Sequence, residues 1–143
     1  MRQPPLIGLV DADCFYVSAE RRRDPSLEGK PVAVLGNFGW CVIAKSYEMK
    51  RLGVTTGMPV WEAKDRCPQG IFLDRDFRWY EVVHRHILEV LRRRFPSVEA
   101  YSVDEFFFEA GNDPAVAYDV ARELRDELHR ETGIPSTVGI GRT

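Results

Sequence analysis

The sequence predicts an α+β fold in which a framework of strands and helices is interrupted by an inserted segment of short elements. The framework consists of stretches with regular hydrophobic spacing at 6–10, 77–94, 98–103, 106–108, 137–141 and in a helix after Asp113-Pro114. The intervening residues 24–76 are rich in Gly and Pro, which is typical of short elements joined by turns.

The first strand and the insertion differ in their patterns. A continuous apolar run at 6–10 predicts a central strand covered on both faces. The segment after it predicts only small elements, because turn-forming residues such as those at 24–31 separate them. These are helices at 14–23, 45–53 and 59–66 and strands at 32–35 and 41–44.

Two longer amphipathic helices follow. The first spans 77–94 and ends before Pro96. Its apolar residues recur at helical spacing, at Tyr80, Val83, Ile87 and Leu91. The second begins at the N-cap and first-turn pair Asp113-Pro114 and ends at Gly133. Its predicted apolar face comprises Val116, Val120, Leu124 and Leu128.

Without the insertion, the order is strand, helix, strand, strand, helix, strand, which is the ferredoxin-like βαββαβ arrangement. Its first two strands run parallel through a right-handed crossover, and the third lies antiparallel between them. The end of the first strand, at Asp11, then lies at the same sheet edge as the hairpin turn with Asp104 and Glu105.

These three acids suggest a chemistry. A lone aspartate after a strand is often only a turn former, and that interpretation stays open for Asp11 by itself. Adjacent acids such as Asp104 and Glu105 repel, and clustered carboxylates raise one another's pKa unless a cation lies between them. Mg²⁺ prefers carboxylate oxygens and keeps positions for phosphate. Phosphoryl or nucleotidyl transfer is therefore the first hypothesis.

Composition limits the partners and the compartment. The formal net charge of −2 predicts no strong overall attraction to nucleic acid or an anionic membrane, so any basic surface must be local. Cys14, Cys41 and Cys67 are widely spaced and indicate reduced thiols in a cytoplasmic protein. No run approaches the ~20 apolar residues of a membrane span, and we expect neither a signal peptide nor a membrane partner.

Several other features have ordinary interpretations. The arginine runs at 21–23 and 92–94 are predicted to be solvated surface with nearby acids rather than phosphate-binding patches. His84, His86 and His129 show no ligand arrangement, and we predict no functional role for them.

Five motifs occur in an order shared with one family. They are Val10–Glu20 (VDADCFYVSAE), Gly29–Val32 (GKPV), Cys41–Val54 (CVIAKSYEMKRLGV), Tyr101–Glu105 (YSVDE) and Val138–Gly141 (VGIG). Together they resemble the Y-family translesion DNA polymerases. The residues that occupy the variable positions of these motifs are most similar to those of the UmuC-type branch. The resemblance runs from about residue 6 to the C-terminus.

The resemblance implies a polymerase palm formed by residues 1–17 and 77–143, with an inserted small fingers subdomain at 18–76. It also implies that the catalytic carboxylates are those of Asp11, Asp104 and Glu105. With the backbone carbonyl of Ala12, they would hold two Mg²⁺ ions. Asp13 does not match a metal ligand of the family and is expected to be a hydrogen-bonding support.

The resemblance also implies a nucleotide site. The amides near Phe15 and Tyr16 would face the incoming triphosphate, and the Tyr16 ring would exclude a ribose 2′-hydroxyl. Tyr47 and Lys50 would reach the β- and γ-phosphates. From the residues alone, Tyr16 could equally pack in the core, and Tyr47 and Lys50 could form a solvated helix face.

The resemblance also implies that three residues form a roof over the nascent base pair. They are Gly36, Cys41 and Ile43. The expected partners are primer–template DNA and a deoxynucleoside triphosphate. Sliding-clamp and recombinase contacts would lie in regions outside this chain.

Two departures from the family matter. Lys50 replaces a common arginine, so a point charge replaces a bidentate fork. The chain also ends at Thr143, before an expected lysine segment, the thumb and the little-finger domain. We therefore expect an N-terminal fragment with little or no processive synthesis. The alternative function is a non-catalytic relic or an interaction module of a repair complex. A nucleotide cyclase on the same topology would need other signature residues around the hairpin.

Overall fold

The computed structural model describes residues 4–142, which form two compact units. The first consists of the described residues up to Asp13 together with those from Trp79 onward, and the second of Cys14–Arg78. Each unit has its own β-sheet. Within residues 4–142, every helix is too short or too polar to traverse a lipid bilayer.

The elements follow one another as β1 (Ile7–Ala12), α1 (Phe15–Arg23), β2 (Val32–Leu35), β3 (Val42–Lys45), α2 (Tyr47–Arg51), α3 (Val60–Arg66), β4 (Ile71–Asp74), α4 (Phe77–Arg94), β5 (Val98–Ala100), β6 (Glu105–Glu109), α5 (Pro114–Thr132) and β7 (Ser136–Gly141). Single 3₁₀ turns lie at Pro25–Leu27 and Asn37–Gly39.

The sheet of the first unit has the strand order β5-β6-β1-β7. Each neighbouring pair is antiparallel, so β5 runs parallel to β1 and β6 lies between them. The predicted ferredoxin-like βαββαβ topology is thereby confirmed. It brings the end of β1 next to the start of β6.

Alternate residues of the inner strands face the core of this unit. Val10 on β1, and Phe106 and Phe108 on β6, are at most 2% exposed. Ile7 and Leu9, on the other face, are only partly buried. The prediction of a first strand covered on both faces was therefore wrong, because an antiparallel sheet needs only one covered face.

The two long helices were predicted with different success. The limits of α4 and its buried residues Tyr80, Val83, Ile87 and Leu91 agree with the prediction. In α5, Val116 is 55% exposed, and Ala117 and Ala121 form the buried row with Leu124 and Leu128. The predicted face was wrong at its start because only large apolar residues had been considered.

The second unit is built on the sheet β3-β2-β4, in which β2 pairs antiparallel with β3 and parallel with β4. Strand β4 was not predicted, since its three apolar residues are too few to show a period. Helix α2 is shorter than the predicted 45–53. It starts after Ser46, whose hydroxyl oxygen accepts from Met49 N–H at 3.3 Å and Val32 N–H at 3.0 Å.

Ion pairs join the helices of the second unit. Arg23 donates to the buried carboxylate of Glu20 at 2.9 Å and to Asp76 at 2.7 Å. Arg21 donates to Glu48 at 2.9 Å and thereby ties α1 to α2. The prediction of acids beside the 21–23 run is confirmed, and the pairs are part of the packing.

The arginine run at 92–94, in the first unit, also forms ion pairs with nearby acids. Arg93 donates to Glu131 at 2.9 Å, and Arg94 pairs with Glu123 and Glu127. These contacts join α4 to α5, so the acids predicted near residues 92–94 are present.

A glycine in β1 favours the observed pairing of β1 with β6. Gly8 lies opposite Phe108, and a Cβ built on Gly8 would clash with Cζ of the Phe108 ring. The ring therefore lies on bare backbone. A slip of one residue would remove this match and turn the core-facing side chains of one strand to the opposite face of the sheet. The same register places Asp11 opposite Glu105.

Replacing this glycine should weaken the first unit. Gly8→Ala forces a methyl group into the Phe108 ring, and we expect a loss of roughly 1–3 kcal/mol in the free energy of unfolding, the usual cost of overpacking. Gly139→Ala on β7 is the matched control, because nothing lies within 4 Å of a Cβ there. Urea unfolding measures both. Equal effects of the two substitutions would contradict the register argument.

Candidate active site

The three acids predicted to be catalytic lie at one end of the first unit's sheet. Asp11, near the end of β1, is the register partner of Glu105, the first residue of β6. The N–H of Ala12 donates to the carbonyl of Asp104 at 2.8 Å. Backbone pairing therefore places Asp11 beside Asp104-Glu105, as the topology predicted.

The hairpin connection before Glu105 is longer than predicted, since residues 101–104 join β5 to β6 where a turn at Asp104-Glu105 alone was expected. Strand β5 ends at Ala100 instead of residue 103, because the N–H groups of Tyr101 and Ser102 both donate to the carbonyl of Glu105, at 3.0 and 3.3 Å. The Ser102 hydroxyl lies 3.0 Å from Asp104 Oδ1 and 3.1 Å from Glu105 Oε1. One hydroxyl hydrogen serves both carboxylates, which keeps the two acidic side chains on the same side of the turn.

The electrostatics of Asp11 reflect this arrangement. Partial desolvation, followed by the charges of Asp104, Glu105 and Asp13, raises the pKa of Asp11 above its ordinary value of 3.8. A divalent cation near these oxygens would relieve the repulsion. Among residues 4–142, however, no three His, Cys, Asp or Glu side chains are already gathered as ligands for a metal ion. The acids are electrostatic neighbours, and the donor set is of the kind that Mg²⁺ prefers.

Asp13 is held next to this cluster. Its side chain accepts from the Thr137 hydroxyl at 3.0 Å, and its N–H donates to the carbonyl of Pro135 at 2.9 Å. The predicted hydrogen-bonding role of Asp13 agrees with these contacts, which fix the chain just beyond β1 against the start of β7.

Phe15 and Tyr16, the first two nucleotide-binding candidates, lie in the second unit. They form the first turn of α1, where backbone amides point out of the helix end and favour anions. Phe15 is buried, and Tyr16 is half-buried. The Tyr16 ring lies 5.9 Å from the Phe15 ring and 5.8 Å from the Phe77 ring, so it is held by aromatic packing.

Tyr47 and Lys50 lie on α2, three residues apart. Tyr47 is 53% exposed and Lys50 is exposed, whereas Met49 between them is fully buried. Lys50 forms no ion pair within residues 4–142. The exposure of both side chains is compatible with phosphate contact and with a solvated helix face.

The three residues expected to form a roof lie together in the second unit. A Cβ built on Gly36 would lie 2.9 Å from Ile43 Cγ2 and 3.5 Å from Cys41 Sγ. Close packing against Ile43 and Cys41 therefore favours glycine at position 36. Because glycine has no side chain, nothing projects from the sheet at this position.

His84 has a structural role that the sequence analysis missed. Its Nδ1 lies 2.7 Å from the carbonyl of Val103, and since a carbonyl only accepts, Nδ1 carries the hydrogen. The imidazole also stacks on Phe106 at 5.1 Å. His84 therefore anchors α4 to the residue that precedes Asp104. This contact is structural and does not test the prediction that His84 has no functional role. The sequence analysis missed the contact because its partner is a backbone carbonyl, which leaves no sequence pattern.

Comparison with known proteins identifies the class and then the family. An antiparallel βαββαβ sheet with clustered acids at one end defines a polymerase-palm type of domain. Residues 10–143 match the impB/mucB/samB family, and the chain belongs to this family of Y-family DNA polymerases.

The curated relatives are longer proteins. The chain is 39% identical over 140 residues to DNA polymerase IV 1 of Bacillus subtilis, covering 94% of this chain and 34% of that protein. It is 40% identical over 139 residues to DNA polymerase IV of Methanoculleus marisnigri, covering 92% of this chain and 38% of the relative. The chain thus spans about a third of the length of these relatives.

Solved structures share the fold. DinB from Sulfolobus solfataricus matches with a TM-score of 0.88 at 26% identity, covering 95% of this chain and 42% of that one. An insertion ternary complex of Dbh DNA polymerase matches with the same score, identity and coverage. The predicted family and the α+β palm-and-fingers fold class are confirmed.

The anchor formed by His84 can be tested without catalysis. His84→Ala should lower the free energy of unfolding by about 0.5–1.5 kcal/mol, the net value of one hydrogen bond, and speed amide hydrogen exchange at Ser102–Glu105. His84→Asn keeps an N–H donor at a similar position and should restore most of the protection.

The matched control is His86→Ala, two residues along the same helix, for which no hydrogen bond is present within the described residues. Hydrogen exchange followed by mass spectrometry gives the comparison. The anchoring role is wrong if His86→Ala speeds exchange in the turn as much as His84→Ala does.

Proposed function

We propose that this chain carries the catalytic and nucleotide-binding part of a template-directed DNA polymerase of the translesion class, which works in DNA repair and damage tolerance. The reaction is nucleotidyl transfer from a deoxynucleoside triphosphate to a primer 3′-hydroxyl, with release of pyrophosphate. The observation that carries the proposal is the pairing of Asp11 with Glu105 beside Asp104. Family membership supports it.

The acids would act as a metal-binding group. Asp11, Asp104 and Glu105, together with the carbonyl of Ala12, would hold two Mg²⁺ ions. When bound, the ions would lower the pKa of the primer hydroxyl and neutralise the triphosphate and the leaving pyrophosphate. Partial desolvation, followed by repulsion from the neighbouring carboxylates, raises the pKa of Asp11, and that repulsion favours a shared cation.

The second unit would bind the incoming nucleotide. The amides of Phe15 and Tyr16 would face the triphosphate, and the Tyr16 ring would stand against a ribose 2′-hydroxyl. Tyr47 and Lys50 would contact the β- and γ-phosphates. The support is the position of the first pair at the start of α1 and the exposure of the second pair on α2.

Finer assignments complete the proposal. Residues 1–17 and 77–143 would be the palm and 18–76 the fingers, with support from the two compact units. The amino-acid sequences of the motifs support the UmuC-type branch. The free cysteines fit a cytoplasmic location. The partners would be primer–template DNA and the deoxynucleoside triphosphate. Contacts with a sliding clamp and a recombinase filament stay predictions.

Metal-dependent nucleotide binding tests the proposed site. We expect dATP to bind the chain with Mg²⁺ and to lose at least about tenfold in affinity, ~1.4 kcal/mol, when EDTA is added or in Asp104→Asn. Isothermal titration measures these affinities. In the same titration, Tyr16→Ala should bring the affinity for ATP closer to that for dATP, whereas Tyr16→Phe should not.

Glu109→Gln is the matched control, since Glu109 is an exposed carboxylate at the opposite end of β6. It should bind dATP as the unaltered chain does. A dATP affinity that is the same with Mg²⁺, with EDTA and in Asp104→Asn would refute the site and leave the alternative of a non-catalytic interaction module.

A further inference from the structure

Two large aromatic side chains stand in solvent on the loop between β2 and β3. Phe38 is 88% exposed and Trp40 is 68% exposed. Their rings contact each other, with centroids 5.7 Å apart and planes inclined by 44°. Each exposed ring forgoes the favourable free energy that burial of an apolar side chain would supply. Single exposed apolar residues are ordinary, but a paired aromatic surface marks a contact site.

The backbone conformation at Phe38 is also energetically unfavourable. Phe38 has φ 62° and ψ 7°, the left-handed conformation that is unfavourable for a non-glycine residue. A glycine would adopt it without strain. The ring is exposed and contacts Trp40, so burial in the core does not explain a phenylalanine at this position.

The loop that carries these rings is fixed at its base. Gly36 N–H donates to the carbonyl of Cys41 at 2.8 Å, and Val60 N–H donates to the carbonyl of Trp40 at 2.8 Å. A surface held this way can bind a flat ligand without first being ordered, which lowers the entropic cost of binding.

The positive net charge of the second unit favours a negatively charged ligand. The second unit, Cys14–Arg78, has eleven Lys and Arg against eight Asp and Glu, a net charge of +3, whereas the rest of the chain has a net charge of −5. A cavity of about 570 Å³ is lined by residues 36–39, by Asp74 and by Arg75. Arg75 forms no ion pair within the described residues and lies 4.4 Å over the Phe77 ring.

We propose that Phe38 and Trp40 form a stacking surface for an unpaired base of single-stranded DNA, and that Arg75 contacts the adjoining phosphate. Bases stack on exposed aromatic rings without regard to sequence, and an arginine nearby neutralises the backbone. The inference rests on the proposed polymerase function, because template-directed synthesis requires an unpaired template strand.

The experiment compares two labelled oligonucleotides of equal length, one carrying bases and one abasic, by fluorescence anisotropy at low salt. The unaltered chain should bind the base-bearing strand more tightly. Phe38→Gly and Trp40→Ala should each weaken that binding by roughly 5- to 150-fold, the range for loss of one stacked base, and should leave the abasic strand unaffected. Phe38→Gly should also raise the melting temperature, because it relieves the left-handed strain.

Tyr118→Ala is the matched control. Tyr118 is 61% exposed and has Arg122 at 5.9 Å from its ring, but it lies in the unit of net charge −5. Its loss should not change binding. The proposal is overturned if the chain binds neither strand, if abasic and base-bearing strands bind alike, or if Tyr118→Ala weakens binding as much. Metal-dependent dATP binding should persist in Phe38→Gly and Trp40→Ala, so a failure of the stacking surface is distinguishable from a failure of the polymerase site.

Discussion

The pairing of β1 with β6 is the constraint on which the site depends. The Phe108 ring lies on the bare backbone of Gly8, a contact that favours the observed register. In that register Asp11 and Glu105 are opposite each other, and the hairpin turn brings Asp104 to the same end of the sheet. A packing contact in the core thus determines the electrostatics at the strand ends.

This electrostatic arrangement works against folding. Because the pKa of Asp11 is raised, the folded chain holds the Asp11 proton more tightly than the unfolded chain does. Ionisation of Asp11 therefore costs folding free energy, with no cost well below pH 3.8 and the full cost above the raised pKa. A cluster retained at such a cost is typical of a binding site, where a ligand supplies the missing positive charge.

Sequence reasoning succeeded where an apolar repeat or a motif extended over many residues. The limits of α4 and the order of the framework strands follow from repeated apolar positions. The position of the acids follows from the end of β1, near Asp11, and from the hairpin turn that contains Asp104. It failed where the information is local or three-dimensional. Strand β4 is too short to show alternation, and Ala117 was overlooked because its side chain is small. The anchor of His84 is a contact with backbone, and the left-handed turn at Phe38 has no composition signal.

The most direct test of the clustered acids is a pH titration of the Asp11 carboxyl carbon by NMR in the metal-free chain. The account predicts a midpoint above 3.8 that moves part of the way back in Asp104→Asn, since partial desolvation would remain after the neighbouring charge is removed. A midpoint at 3.8 that does not respond to Asp104→Asn would contradict it, because the acids would then lie too far apart to share a cation.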